Sequence, residues 1–126
     1  MKRMLVAIGI LAVLLVVASA CSQGGSDAAS FEGGPGMLYF YSPECPVCQG
    51  MKPIMDDLEK EYRGDFRFVR VNVDTDQGKA RARAFGLIGQ PAYLLFDGSN
   101  EEVRRMMGAH TKNDLADAIE KAQQGE

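Results

Sequence analysis

Phe40-Tyr41-Ser42-Pro43-Glu44-Cys45-Pro46-Val47-Cys48 is the stretch on which the reading of this chain turns. An apolar, aromatic run stops at Ser42-Pro43, and two cysteines then stand one helical turn apart. Upstream, Met37-Leu38-Tyr39-Phe40-Tyr41 reads as a buried strand. Downstream, Met51, Ile54, Met55 and Leu58 recur at helical spacing, with Asp56, Asp57, Glu59 and Lys60 between them. A helix is therefore predicted from Cys45 to about Tyr62, ended by Arg63-Gly64-Asp65. The cysteines thus fall where a strand hands over to a helix. A helix N-terminus has unsatisfied N–H groups and about half a positive charge, and both favour a thiolate. Pro46 suits the first helical turn, where its missing N–H has no partner to lose. Cys45 at the tip is placed to attack, and Cys48, one turn in, to resolve the mixed disulfide.

Working outward, residues 66–73 form a second predicted strand, rich in β-branched and aromatic side chains. Thr75 or Asp76 caps a short helix over residues 78–85, and Gly86 to Gln90 is a loop. Ala92 to Phe96 is a third strand, Asp97-Gly98-Ser99-Asn100 a turn, and Glu102 to Met107 a fourth strand. Thr111 caps a last helix, about Lys112 to Gln123, with Leu115, Ala118 and Ile119 facing inward. The order β-α-β-α-β-β-α implies an α/β fold, a central mixed β-sheet flanked by helices.

Other chemistries fit the residues less well. Structural zinc needs a second ligand pair, and only His110 remains to supply one, so no metal site is assigned. A static structural disulfide is the competing structural reading of Cys45 and Cys48. The seven methionines and His110 raise a copper-binding carrier using Cys45 and Cys48 as an alternative. Against it, Met51 and Met55 are spaced as core residues, Met106 and Met107 point to opposite faces of a strand, and His110 reads as a surface turn residue. A redox-inert interaction domain is the third reading. The charge of −3 excludes polyanion partners: there is no basic run, Arg67, Arg70, Arg81, Arg83, Arg104 and Arg105 are scattered, and no nucleic-acid role is assigned.

The segment from Phe40 to Cys48 resembles the active site of the thioredoxin family. Pro53, five residues after Cys48, matches the proline that kinks that family's active-site helix. Gly89-Gln90-Pro91-Ala92-Tyr93-Leu94-Leu95-Phe96 resembles its loop and strand, in which the proline is cis and lies beside the cysteines. Gly108-Ala109-His110-Thr111-Lys112 and the last helix continue the match, which spans about Met37 to Ala122. The resemblance implies a thioredoxin-like fold, a monomer, and protein thiol and disulfide substrates. It implies no cofactor beyond the redox-active disulfide Cys45–Cys48. Glu44, Pro46 and Val47 would form the active-site loop, and Tyr41, Gln90 and Pro91 the substrate groove, where Gln90 offers its backbone to an extended client.

The departures are specific. Tyr39 stands where thioredoxin has a buried acid, Glu44 where it has tryptophan, and the inner dipeptide is Pro-Val, with proline first as in glutaredoxins. The first strand and helix of full thioredoxin are absent. Arg70 matches a thioredoxin lysine near the active site. No histidine separates the cysteines, which leans toward a reductase.

At the start, Met1-Lys2-Arg3 precedes the apolar Met4 to Val17 and the small Ala18-Ser19-Ala20, the layout of a secretory leader. Ala18-Ser19-Ala20-Cys21 fits ordinary signal peptidase and also resembles a bacterial lipobox, whose cysteine is lipidated. Without Lys2 and Arg3, 12 basic residues face 17 acidic ones. Residues 22–36, SQGGSDAASFEGGPG, read as a flexible linker that would reach about 50 Å fully extended. The predicted organisation is a leader over 1–20, a tether over 21–36 beginning at lipidated Cys21, and a domain over 37–126. The expected setting is extracytoplasmic, held to a bacterial membrane by lipid and facing periplasm or cell exterior. A reductase there needs a membrane electron-transfer partner, since no cytosolic thiol pool reaches it. Apocytochrome c cysteines and misoxidised exported proteins are the client classes the resemblance suggests.

Overall fold

The computed structural model describes Phe31 and residues 33–126. The leader, Cys21 and the first part of the tether lie outside the described residues. Four strands and three helices follow: β1 (Gly36–Tyr41), α1 (Pro46–Glu61), β2 (Arg67–Asn72), α2 (Asp76–Ala84), β3 (Ala92–Phe96), β4 (Glu102–Met107) and α3 (Lys112–Gln124). The sheet order is β2-β1-β3-β4. β1 runs parallel to β2 and antiparallel to β3, and β4 closes a hairpin on β3. This is the predicted mixed sheet.

β1 and β3 are central and buried on both faces, so both are apolar throughout rather than alternating with polar residues. Their side chains still divide by parity. Met37, Tyr39, Tyr93 and Leu95 pack with Met51, Met55 and Leu58 of α1 and Leu115, Ala118, Ile119 and Ala122 of α3. Leu38, Phe40, Ala92, Leu94 and Phe96 face the other way, toward Ala82 of α2 and the following Phe85 and Leu87. Two helices therefore cover one face and one covers the other. The edge strand β4 carries Arg104 and Arg105 outward, charges that discourage pairing with another chain.

Each helix start is chemically marked. Thr75 caps α2 by accepting from the Gly78 N–H. Thr111 caps α3 in a reciprocal box with Asp114. Lys112 pairs with Glu61 at 2.8 Å, linking the start of α3 to the end of α1. Gly78 is buried in the first turn of α2, where an added Cβ would lie 1.8 Å from the Asn72 carbonyl oxygen.

The tether expected to run to Gly36 gives way earlier. Gly36 already opens β1, and Phe31 is 1% exposed, its ring 5.2 Å from that of Phe96. The Phe31 ring lies where a Gly36 side chain would stand, since a Cβ there would fall 2.1 Å from it. Among the described residues, packing of the domain thus reaches back past Met37 to Phe31, because this one aromatic ring caps the end of the sheet core on the α2 side.

Candidate active site

The connection β1-α1-β2 leaves β1 on one side and β2-α2-β3 returns on the other, so the chain reverses its direction of travel across the sheet at β1. Such a switch point opens a crevice beyond the carboxyl ends of the strands. The Ser42–Cys48 segment leaves β1 there. β3 is antiparallel to β1, with Phe40 paired to Ala92, so its first residues and the preceding Gln90-Pro91 reach the same end. Sheet topology alone brings the cysteines and Pro91 together.

Cys45 is the N-cap residue of α1, in extended conformation, and its sulfur accepts the Cys48 N–H at 3.3 Å. The cysteine nucleophile therefore occupies the place usually taken by a capping Ser or Asp. No acidic residue lies in the first turn of α1, which leaves that helix end to the thiolate. Pro46 follows at the first helical position, as read from the sequence. The loop is held from below by Ser42, which is 4% exposed. Its hydroxyl donates to Asp74 at 2.8 Å and accepts from the Glu44 N–H at 3.2 Å, while its carbonyl accepts from the Cys45 N–H.

The two sulfurs are free thiols in unlike surroundings. Cys45 is half-buried and Cys48 only 3% exposed. The side-chain hydrogen bond with Cys48, and then the Cys48 N–H, hold the Cys45 thiol below the ordinary cysteine range. Burial, then the hydrogen bond to Cys45, push Cys48 up to about 11. The pair is thus biased toward charge on Cys45 and a retained proton on Cys48. Of the two, alkylation of the reduced protein near neutral pH should accordingly modify Cys45 first and reach Cys48 only on unfolding; mass mapping after iodoacetamide checks this. Linkage follows the same signs. Cys48 contributes stability below the ordinary thiol range and loses it as pH rises toward its value of about 11. Cys45 contributes above the ordinary range and loses it as pH falls through its lowered value.

The Gln90–Pro91 bond is cis, as the resemblance implied. Pro91 is buried and its carbonyl accepts from the Gly108 N–H at 2.9 Å, whereas Gln90 is exposed. Pro46, Val47 and Glu44 are exposed at the rim, Val47 by 46%. Tyr41 is half-buried and stacked on Tyr39 at 5.6 Å. Among the described residues no group of three or more His, Cys, Asp or Glu could hold a metal ion. Met51 and Met55 are core residues, and Met106 packs inward while Met107 is 42% exposed.

A model of the thioredoxin family matches residues 28–121. The chain belongs to the thioredoxin family. It is 30% identical over 87 residues to thioredoxin 1 of Nostoc sp., covering 69% of this chain and 78% of that one. Against the thioredoxin of Haemophilus influenzae it is 34% identical over 85 residues, covering 68% and 77%. Against chloroplastic thioredoxin M4 of Arabidopsis thaliana the identity is 31%, and the chain spans only 44% of that relative's length. Among solved structures, MTB DsbF in its mixed oxidized and reduced forms aligns with a TM-score of 0.67 at 23% identity, covering 75% of this chain and 84% of that one, a likeness of fold.

Set beside thioredoxins, the buried acid is replaced by a tyrosine cluster. Tyr39 on β1 lies opposite Tyr93 on β3, their rings 5.2 Å apart and nearly parallel. Burial, then the charge of Cys48, pushes Tyr39 up to about 12. Burial raises Tyr93 as well, with Tyr39 and then Cys48 adding to it. The Tyr93 hydroxyl finds no hydrogen-bond partner among the described residues, although Tyr93 is wholly buried. An orphaned buried hydroxyl is costly. Tyr93→Phe should therefore stabilise the protein by about 1 kcal/mol, or roughly 4–8 °C in melting temperature, measured by calorimetry.

Three placements were not legible in advance. His110 is no isolated turn residue: its ring stands edge-on to Tyr93 at 5.7 Å and its Nε2 is 3.0 Å from the Met107 carbonyl oxygen. Arg70 clamps α1 to β2 through Glu59 at 2.6 Å and Asp56 at 2.7 Å. Ser42 and Asp74 join across the fold, where the sequence shows only a strand break at Ser42. A polar pair flanking the cysteine loop at both strand ends was the one available signal.

Proposed function

We propose that this protein is a membrane-tethered, extracytoplasmic protein-disulfide reductase working by dithiol exchange through Cys45 and Cys48. The observation that carries the reading is the asymmetry of the pair: an accessible capping sulfur held toward thiolate, backed by a buried thiol. The Cys45 thiolate attacks one sulfur of a client disulfide, and the departing client sulfur takes up a proton. Cys48 then gives up its proton and attacks the Cys45 sulfur, releasing the second client thiol and leaving Cys45–Cys48 oxidised. Two electrons pass from protein to client, and an external dithiol must restore them. A membrane electron-transfer protein is the donor class suited to that place. The client lies along Gln90-Pro91 in strand-like pairing, with Tyr41 and Val47 at its margin.

The leader-like Met1 to Ala20 and the small residues before Cys21 support export and lipid attachment at Cys21. Misoxidised exported proteins and apocytochrome c cysteines are the proposed clients.

The decisive test equilibrates the full-length protein in detergent across a glutathione and dithiothreitol series. A midpoint at or below about −250 mV is expected, in the thioredoxin range; one above about −180 mV would make the protein an oxidant or isomerase. Labelled palmitate should enter the protein, and Cys21→Ala should abolish both label and membrane retention.

A further inference from the structure

Resting on that exchange reading, a second surface bears on which clients are chosen. Between α2 and the loop before Pro91 lies a cleft of about 250 Å³. Its apolar lining comes from Val73, Ala82, Leu87 and Ile88, and Gln90 forms the end nearest Pro91. Lys79 and Arg83, one helical turn apart on α2, stand over it. No carboxylate lines the cleft, and neither cation has an ion-pair partner among the described residues. Ile88 is 96% exposed, the most exposed large apolar side chain described.

What distinguishes this place is unpaired positive charge standing beside an apolar cleft. The chain as a whole is acidic, and Arg70, Arg105, Lys52, Lys112 and Lys121 pair with its carboxylates. α2 concentrates Lys79, Arg81 and Arg83 with one acid, Asp76, confined to its first turn where the helix dipole favours it. The cleft is also continuous with Gln90, so a chain paired along Gln90-Pro91 enters it directly.

We propose that this cleft is a client subsite that selects an acidic side chain beside an apolar one, within a few residues of the client's disulfide cysteine. Lys79 and Arg83 attract the carboxylate, and Val73, Leu87 and Ile88 receive the apolar neighbour. An apolar groove rimmed by unpaired charge of one sign steers encounter and suppresses clients of the same sign.

The test uses three disulfide-linked peptides identical except for Glu, Gln or Lys in the position flanking each cysteine, and the reduced full-length protein in detergent. The readout is the second-order rate of peptide reduction at low and high salt, with a small neutral aromatic disulfide as reference. The Glu peptide should react about tenfold faster than the Lys peptide at low salt, with the difference shrinking at high salt. The double substitution Lys79→Glu, Arg83→Glu should invert the order, and Lys79→Gln, Arg83→Gln should flatten it, both leaving the reference rate within about twofold. Equal rates for the three peptides, or a Glu preference that survives charge reversal, would overturn the subsite. Failure of the peptides and the small disulfide alike would instead overturn the exchange reading on which it rests.

Discussion

Cys45→Ser should abolish disulfide reduction, lowering the rate by at least about a thousandfold, to that of the uncatalysed exchange. The serine hydroxyl can take over the capping bond that the Cys45 sulfur now accepts from the Cys48 N–H, so the helix start survives. What is lost is the nucleophile: at neutral pH a serine has no counterpart to the thiolate favoured here. Cys48 cannot substitute, since it is 3% exposed and held protonated up to about 11. Cys48→Ser should behave differently. The first attack proceeds, the second cannot, and client remains bound to Cys45 as a mixed disulfide that non-reducing electrophoresis detects. Normal turnover by the Cys45→Ser protein would sink the exchange mechanism.

The largest effect expected on stability comes from Gly78→Ala. In an ordinary helix this change stabilises by up to about 1 kcal/mol, because alanine is the better helix former. Here the sign reverses. The new Cβ would stand 1.8 Å from the Asn72 carbonyl oxygen and 2.6 Å from its carbon, and both atoms are backbone. Neither can turn aside as a side chain would, so α2 must lift away from the end of β2. A loss of about 3 kcal/mol is expected from such overpacking, measured by urea unfolding. The displaced strand end leads into Asp74, which accepts the Ser42 hydroxyl, so the cysteine loop should loosen as well and reduction should slow.

Much of this architecture was written in local patterns. The 92–96 and 102–107 strands were read to the residue because a turn at Asp97-Gly98-Ser99-Asn100 separates two short runs of clear strand character. Cys45 at a helix start followed from Pro46 and from the periodicity of Met51, Met55 and Leu58. The cis state of Pro91 came from resemblance, not from periodicity. What escaped depends on distance in the chain. Phe31 sits among glycines and serines with no repeat to betray its burial, and its partner Phe96 is far away. Tyr93 reads as one more apolar residue in a buried strand; only the register of β1 against β3 sets it on Tyr39. The need for glycine at position 78 is likewise invisible until the Asn72 carbonyl is in place.

The tyrosine cluster gives the protein an optical property. The chain has no tryptophan, so its near-ultraviolet absorbance and emission come chiefly from four tyrosines. Three of them, Tyr41, Tyr39 and Tyr93, form one continuous stack, and the electric field of the cysteines reaches Tyr39 and Tyr93. Tyr62 stands apart at the far end of α1, bonded to Glu120, and serves as an internal reference. Closing the Cys45–Cys48 bond puts an electron-accepting group near the stack and removes any thiolate charge there. Oxidation and reduction of the pair should therefore change tyrosine emission and near-ultraviolet circular dichroism, which a redox titration without any attached dye would read.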